Sequence, residues 1–483
     1  MRTPSGTGSC KRHKPGRSFE RQREAQAWIL RFDLAKISGA AQSLSLPLRP
    51  GLKLFRHMTK SKSILIVGGG VIGLCTAYYA AQKGHRVTIL ERGPLNHDCC
   101  SLGNAWMIVP SHFVPLAAPG MVAMGLRMMF DAESPFHIKP RFSLKLLDWA
   151  WKFCRACNAG HVARSAPLLR DLGLASRRCF EELAESKPPV AQSATNAFGL
   201  VKRGLLMLCR EEASLHEEAK TVELSNSLGL PAEMLTPTQA AELEPNLKMT
   251  IAGAAYFPQD CHLSPEKFYG AIGEQLRQMN VDVRHGTSVI GWRVDGGQIQ
   301  AVETTRGDFV AEEYVLAGGS WSPGIVEGLR LTLPMQAGKG YSLTLKSPPR
   351  LPGICSILTE ARVAVTPMGS SLRFAGTMEI AGLDESIDVN RVRGITQSIP
   401  RYYPEFNADD FRDVPIWRGL RPCSPDGLPY IGRFGRYRNL STATGHAMMG
   451  LSLAPITGKL MAEMLSDETP SIDLAALSPD RYA

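Results

Sequence analysis

Residues 63–92 read Ser63-Ile64-Leu65-Ile66-Val67-Gly68-Gly69-Gly70-Val71-Ile72-Gly73-Leu74-Cys75-Thr76-Ala77-Tyr78-Tyr79-Ala80-Ala81-Gln82-Lys83-Gly84-His85-Arg86-Val87-Thr88-Ile89-Leu90-Glu91-Arg92. The apolar, β-branched run at 64–67 suits a buried parallel strand. Gly68, Gly70 and Gly73 follow as GxGxxG at a strand-to-helix junction. The first glycine permits the tight turn, the second lets backbone approach a pyrophosphate, and the third lets the helix lie close on the strand. Val71 and Ile72 open that helix, whose free N–H groups and positive dipole end face the phosphates. Gly84 suits the position just past the helix end. A second strand at 87–90 ends in Glu91, 21 residues after Gly70, where a carboxylate accepts ribose hydroxyls. The layout is that of a dinucleotide-binding unit; the motif alone does not separate FAD from NAD. Arg92 reads as a 2′-phosphate partner or, more plainly, as a solvent-exposed cation at a strand end, and the second reading is favoured.

With 483 residues, 44% hydrophobic and 21% charged, the chain is long enough for two or more domains. The net charge of +10 suggests a polyanion ligand until its distribution is considered. Residues 1–60 hold 13 Lys/Arg and 3 Asp/Glu, so the remainder is close to neutral and has no general basic field for nucleic acid. The basic head lacks the apolar stretch of a secretory signal. It reads as an Arg-rich transit segment or as sequence preceding a start at Met58, and the missing targeting features favour the latter. The most apolar stretch, 107–126, is broken by Pro110, Pro115 and Pro119 and reads as a loop followed by a helix, not a membrane span. Peripheral membrane contact stays open. Cys154 and Cys157 form a lone CxxC in a helical pattern with no second pair for zinc, so no metal site is expected. Cys99 and Cys100 fall near the expected cofactor site without an assigned role. The scattered 11 cysteines demand no oxidising compartment.

Helical patterning covers 119–130, 143–158, 161–186, 211–228, 265–280 and 390–403. Thr236-Pro237-Thr238-Gln239 has the form of a capping box. Strands are expected at 200–209, 281–284, 288–294, 299–304 and 309–316, and across 333–345 and 354–378. The strand at 309–316 runs into Ala317-Gly318-Gly319-Ser320-Trp321, where small residues again allow backbone to approach a ligand. Ligand-type turns thus return near 318 and 445, far from the first, so one cofactor is touched by distant segments.

Five segments together resemble the D-amino-acid oxidase-like FAD oxidoreductases, most nearly the bacterial D-amino-acid dehydrogenase small-subunit type. They are Gly68–Gly73 with Glu91; Ser101-Leu-Gly-Asn104-Ala105; residues 315–322; Gly338-Lys-Gly-Tyr341-Ser342; and residues 419–432 with Thr444-Gly445-His446. The resemblance covers about residues 62–483. It implies an α/β fold: a doubly wound, Rossmann-like FAD-binding domain built from discontinuous segments, plus an α+β substrate domain with a mostly antiparallel sheet. In those terms 1–60 is a basic extension, 61–115 the first part of the FAD domain, 116–250 mainly helical and substrate-domain segments, 251–332 the second FAD part, 333–415 the substrate sheet and 416–483 the C-terminal FAD part. Cofactor contacts beyond the first unit fall to Ser101, Asn104, Ala105, Val289, Ala317, Gly318, Gly319, Trp321, Gly445, Gly450 and Leu451. A helix starting near Gly450 would aim N–H groups at the flavin pyrimidine edge, with Pro455 tolerated in its first turn.

The resemblance also implies hydride transfer from a substrate α-carbon to flavin N5. Arg421 is the expected carboxylate anchor, since a guanidinium grips a carboxylate through two parallel hydrogen bonds. Tyr341 is a second substrate candidate, and a strand tyrosine is as often a packing residue. His446 invites an acid/base role, but positioning carries most of such a step, so it is expected to fix a turn or touch the flavin. Trp106 replaces the usual small residue after Asn104-Ala105; it either narrows the pocket or points into the core. The expected reaction is oxidation of a D-amino acid or related secondary amine, with a quinone, another flavoprotein or oxygen as acceptor, in the cytoplasm or at the inner face of the membrane. A glycine/sarcosine-type oxidase, a noncatalytic flavoprotein assembly factor and an NAD dehydrogenase are the alternatives.

Overall fold

The computed structural model describes residues 60–95, 99–129, 133–185 and 198–483. The basic head, including the expected start at Met58, lies outside the described residues, apart from Lys60.

A six-stranded sheet is assembled from three regions of sequence. Its order is Tyr430–Arg433, Leu440–Thr444, Glu313–Leu316, Ser63–Val67, Arg86–Leu90 and Asp282–Arg284. All neighbours are parallel except the antiparallel edge strand Tyr430–Arg433. The inner strands are buried, as expected for apolar runs covered on both faces. Helix Val71–Gln82 lies against the last helix, Ala454–Leu465, and Gly458 makes the approach possible: a Cβ there would meet Cys75 O at 2.5 Å.

The second large sheet has nine strands and is mostly antiparallel. Its order is Ile416–Cys423, Gln336–Leu345, Ser371–Ile380, Val363–Met368, Cys355–Leu358, Leu205–Cys209, Gly253–Phe257 and Glu233–Leu235, with Phe136–Ile138 added parallel to Ser371–Ile380. Strand Ile416–Cys423 and the turn after Leu316 meet where Ser320 Oγ donates to Leu420 O at 3.0 Å, which brings the two sheets to one cleft.

Three sequence expectations shift. The strand expected over 200–209 begins at Leu205, because Gly204 at φ +78° turns the chain after Lys202-Arg203. The strand expected over 309–316 divides into Gly307–Phe309 and Glu313–Leu316, with the intervening Ala311 N–H donating to Tyr314 Oη at 2.9 Å instead of to a strand. The final helix begins at Ala454 rather than near Gly450: Ala447 at φ +48° and a short 3-10 turn, Ala447–Met449, occupy the expected start. Pro455 still falls in the first turn, where its missing N–H costs nothing. The capping box at Thr236 and Gln239 forms as read. Helix Leu144–Ala156 ends before Cys157, so the CxxC pair is split by a helix end.

Candidate active site

The three glycines of the first turn divide their tasks. Gly68 sits at φ +115°, and a Cβ on it would collide with the Ala317 carbonyl of the adjacent strand end. A Cβ on Gly73 would collide with Gly68 O, so this glycine seats the helix against the strand and does not line the cleft. Gly70 faces open space: the nearest atom to a Cβ would be Ser101 Oγ at 3.8 Å. Val71 N–H donates to that same Ser101 Oγ at 3.2 Å, and Ile72 lines the wall beside it. Glu91 is buried, and its two carboxylate oxygens accept from Gly69 N–H (2.8 Å) and Gly93 N–H (2.7 Å). Glu91 also lines the cleft. Arg92 is exposed, as the plainer reading expected, and its guanidinium stacks over Trp321 at 3.7 Å from the ring centroid.

The cleft, about 580 Å³, continues from Glu91 past Val289, Ala317, Gly318 and Gly319 toward Arg421. The two later turns touch each other: Thr444 Oγ1 donates to Gly319 O at 3.2 Å. Asn104, Gly450 and Leu451 also line the cleft. Ala105 and Gly445 do not. The Ala105 carbonyl accepts from Thr366 Oγ1 at 2.6 Å, and Gly445, at φ +79°, faces the Tyr430 ring.

At the far end Arg421 is half-buried and borders the cleft. Its Nη1 donates to Thr377 O at 2.7 Å, and among the described residues no carboxylate pairs with it. Burial lowers its basicity below the usual arginine value. His446 lines the cleft, is buried, and shares a 3.0 Å hydrogen bond with Thr457 Oγ1. Burial pushes its pKa down to about 3, so the imidazole stays neutral at neutral pH and is a weak base. Tyr341 is buried away from the cleft lining: its hydroxyl donates to Glu379 Oε2 at 2.8 Å and accepts from Asp388 N–H at 3.1 Å. The geometry therefore gives Tyr341 a holding position within the sheet rather than a place at the substrate. Trp106 points into the core, where it meets Phe268 and Tyr269 at 5.8 Å, and its own φ is +57°.

Several lining residues carried no sequence signal. Leu383, Glu385 and Arg418 belong to no motif, and Trp292 sits in a strand far from the glycine turns. Cys99 and Cys100 border the cleft, as their position near Ser101 suggested.

The model of the FAD dependent oxidoreductase family DAO matches residues 63–464. The chain belongs to this FAD-dependent oxidoreductase family. A D-amino acid dehydrogenase of Granulibacter bethesdensis is 30% identical over 425 residues, covering 87% of this chain and 99% of that one. One from Cereibacter sphaeroides is 32% identical over 426 residues, covering 87% and 95%. Among solved structures, the glycine oxidase of Geobacillus kaustophilus has a TM-score of 0.69 and 25% identity, covering 88% of this chain and 99% of that one. The cofactor of this FAD-dependent oxidoreductase fits the residues present. The bare face of Gly70 is a cradle that any Cβ would begin to fill, the Glu91 carboxylate is held at the strand end by two backbone N–H groups, and one cleft of about 580 Å³ is lined by both.

Proposed function

We propose that this FAD-dependent oxidoreductase oxidises D-amino acids, or a closely related secondary amine, at the amine-bearing α-carbon. The observation that carries the reading is Arg421. It is a partly buried guanidinium with no carboxylate partner among the described residues, aimed at the end of a flavin-sized cleft. Bound FAD supplies the two-electron acceptor. Arg421 grips the α-carboxylate, the cleft walls orient the α-carbon, and neutral His446 braces its own turn against Thr457 of the last helix without taking a proton. The relatives named D-amino acid dehydrogenase support this substrate class. The likeness to a glycine oxidase supports a second reading, in which oxygen is the acceptor and hydrogen peroxide a product. In the first reading a quinone or another flavoprotein takes the electrons.

In this reading the six-stranded sheet belongs to a cofactor domain and the nine-stranded sheet to a substrate domain. All described cysteines are free, which suits the reducing cytoplasm. No helix among the described residues is long and apolar enough to cross a membrane. Contact with the inner membrane surface is supported by one exposed stripe: Phe142, 92% exposed, with Leu144, Leu147 and Trp151 on the outer face of helix Leu144–Ala156.

Anaerobic mixing of the holoenzyme with a panel of D- and L-amino acids, glycine and sarcosine tests the reading. D-amino acids should bleach the flavin absorbance. Bleaching by glycine or sarcosine alone would replace the first reading with the second. An oxygen electrode separates the acceptors, and sedimentation with anionic vesicles tests the membrane contact.

A further inference from the structure

The motif Gly338-Lys339-Gly340-Tyr341-Ser342 is not accounted for by the cofactor or by the carboxylate anchor alone. Strand Gln336–Leu345 explains its alternation. On one face Gly338 and Gly340 leave room for Met378 and for the Arg421 guanidinium. On the other face stand Lys339 and Tyr341. Lys339 has 0% side-chain exposure. Its Nζ donates to Ser386 O at 2.7 Å and lies 3.3 Å from Glu379 Oε2 and 3.7 Å from Asp384 Oδ2. Glu379 is its direct cross-strand partner.

These bonds converge on one segment. Asp388 N–H donates to Tyr341 Oη at 3.1 Å, Ser386 N–H donates to Asp384 Oδ1 at 2.9 Å, and Arg418 Nε donates to Glu385 O at 2.9 Å. Residues 384–388 are thereby tied to strands Gln336–Leu345, Ser371–Ile380 and Ile416–Cys423. Leu383 and Glu385 of the same stretch line the cleft with Arg418 and Arg421. A buried ammonium is a poor way to stabilise a sheet, because desolvation offsets its attraction to a carboxylate and an apolar residue would fill the space as well. What an apolar residue would not do is hold the Ser386 carbonyl.

We propose that Lys339 is a positioning residue that fixes the 383–388 stretch as a wall at the substrate end of the cleft, so that Leu383 and Glu385 decide which side chains are accepted. The proposal rests on the reading that the Arg421 end of the cleft binds the substrate. Lys339 touches neither substrate nor cofactor; it acts through Ser386 and Glu379.

The test compares wild-type holoenzyme with Lys339→Met. Two quantities are read: hydrogen exchange at 383–388, and the ratio of kcat/KM for a small and a large D-amino acid. Exchange should rise by about tenfold or more as the segment opens locally. The substrate ratio should move by about tenfold, the size of one displaced apolar contact, with the change in KM rather than kcat and flavin content unchanged. Should Lys339→Met fail to fold, Asp384→Ala loosens the same stretch from its exposed side and is read in the same way. Leu383→Ala should move the ratio without moving the exchange. Unchanged exchange, or an unchanged ratio with faster exchange, overturns the role of Lys339. A wild-type flavin that no amino acid bleaches overturns the substrate reading instead, and the two failures are told apart by the exchange measurement.

Discussion

Arg421 Nη1 donates a 2.7 Å hydrogen bond to the carbonyl of Thr377, whose backbone is held at φ +72°. A β-branched residue in that region is strained, by about 1–3 kcal/mol. The strain coincides with an irregularity in the pairing of strand Gln336–Leu345 with Ser371–Ile380 between Lys339 and Tyr341. The bulge turns a strand carbonyl toward the guanidinium, and Gly340 provides the floor on which it lies. One of five N–H donors is thus used for positioning, and the rest of the fork is available to an anion.

Gly340→Ala tests that floor. The added methyl would overlap the Arg421 guanidinium, the far end of a flexible side chain, so the side chain shifts and the fold survives. A misplaced two-point contact should raise KM for the amino acid by about tenfold or more, with flavin content unchanged. Steady-state kinetics beside the flavin-to-protein absorbance ratio gives the answer; an unchanged KM would mean that the guanidinium does not bind substrate from this position.

Glu91→Ala should act at the other end of the cleft. It removes the acceptor for Gly69 N–H and Gly93 N–H and the carboxylate proposed for the ribose. Hydrogen bonds to a charged group contribute roughly 1.5–3 kcal/mol, so FAD affinity should fall by about tenfold to a few hundredfold. Titrating apoprotein with FAD by fluorescence quenching measures it. Reconstituted enzyme at saturating FAD should keep its KM for substrate, which separates this variant from those at Arg421.

Asp260 gives a prediction in pH. It is buried and accepts from Ser111 N–H at 3.1 Å and from Ser111 Oγ. Burial pushes its carboxyl up to about 7, against the pull of the Ser111 hydrogen bonds and of Arg177. An unfolded aspartate titrates near 3.9. The folded form therefore binds the extra proton, and the stability so gained is full in acid and lost as pH rises to about 7. In Asp260→Asn this loss is absent. Its stability relative to wild type should climb by up to ~1.4 kcal/mol per pH unit between about pH 4 and 7, then level off. His446, His262 and His112, held neutral by burial at about 3, 4 and 4, act in the opposite sense in both proteins and cancel in the difference. Urea unfolding at a series of pH values checks the slope, and a flat difference would place the titration elsewhere.

The nucleotide end of the site was legible in sequence because one contiguous stretch specifies it. Gly68 and Gly73 have steric reasons to be there, Glu91 has a hydrogen-bonding one, Gly70 leaves its face open, and the spacing carries the pattern. The joining of residues 317–321 to Thr444 was also legible, since small residues at strand ends mark close backbone approach. Around the proposed substrate end, the sequence singled out two of the residues that line the cleft, Arg421 and His446. Leu383 and Glu385 reach the cleft because Lys339, Tyr341 and Arg418 hold their loop from other strands, and nothing local records such a tie. Tyr341 stood between a substrate candidate and a packing residue because a hydroxyl in a motif does not name its partner; Glu379, 38 positions away, accepts its hydrogen bond. The late start of the last helix goes with a turn held from elsewhere: His446 is bridged to Cys423 and hydrogen-bonded to Thr457, and Ala447 beside it has a positive φ.

Arg421 itself carries the final prediction. Arg421→Ala removes the anchor, and Arg421→Lys keeps a charge but loses the planar fork. With roughly 1.5–3 kcal/mol for hydrogen bonds to a charged group, kcat/KM for an amino acid should fall by about tenfold to a few hundredfold in the alanine variant. The lysine variant should fall between, because it retains attraction without two-point geometry. Both should hold FAD normally, since the phosphate and ribose contacts proposed for Gly70 and Glu91 do not involve the guanidinium. Amines without a carboxylate should lose little, because the missing interaction is one they never make. Wild-type kcat/KM in Arg421→Ala would remove this residue from the site. Loss of flavin in both variants would assign it to cofactor or fold instead.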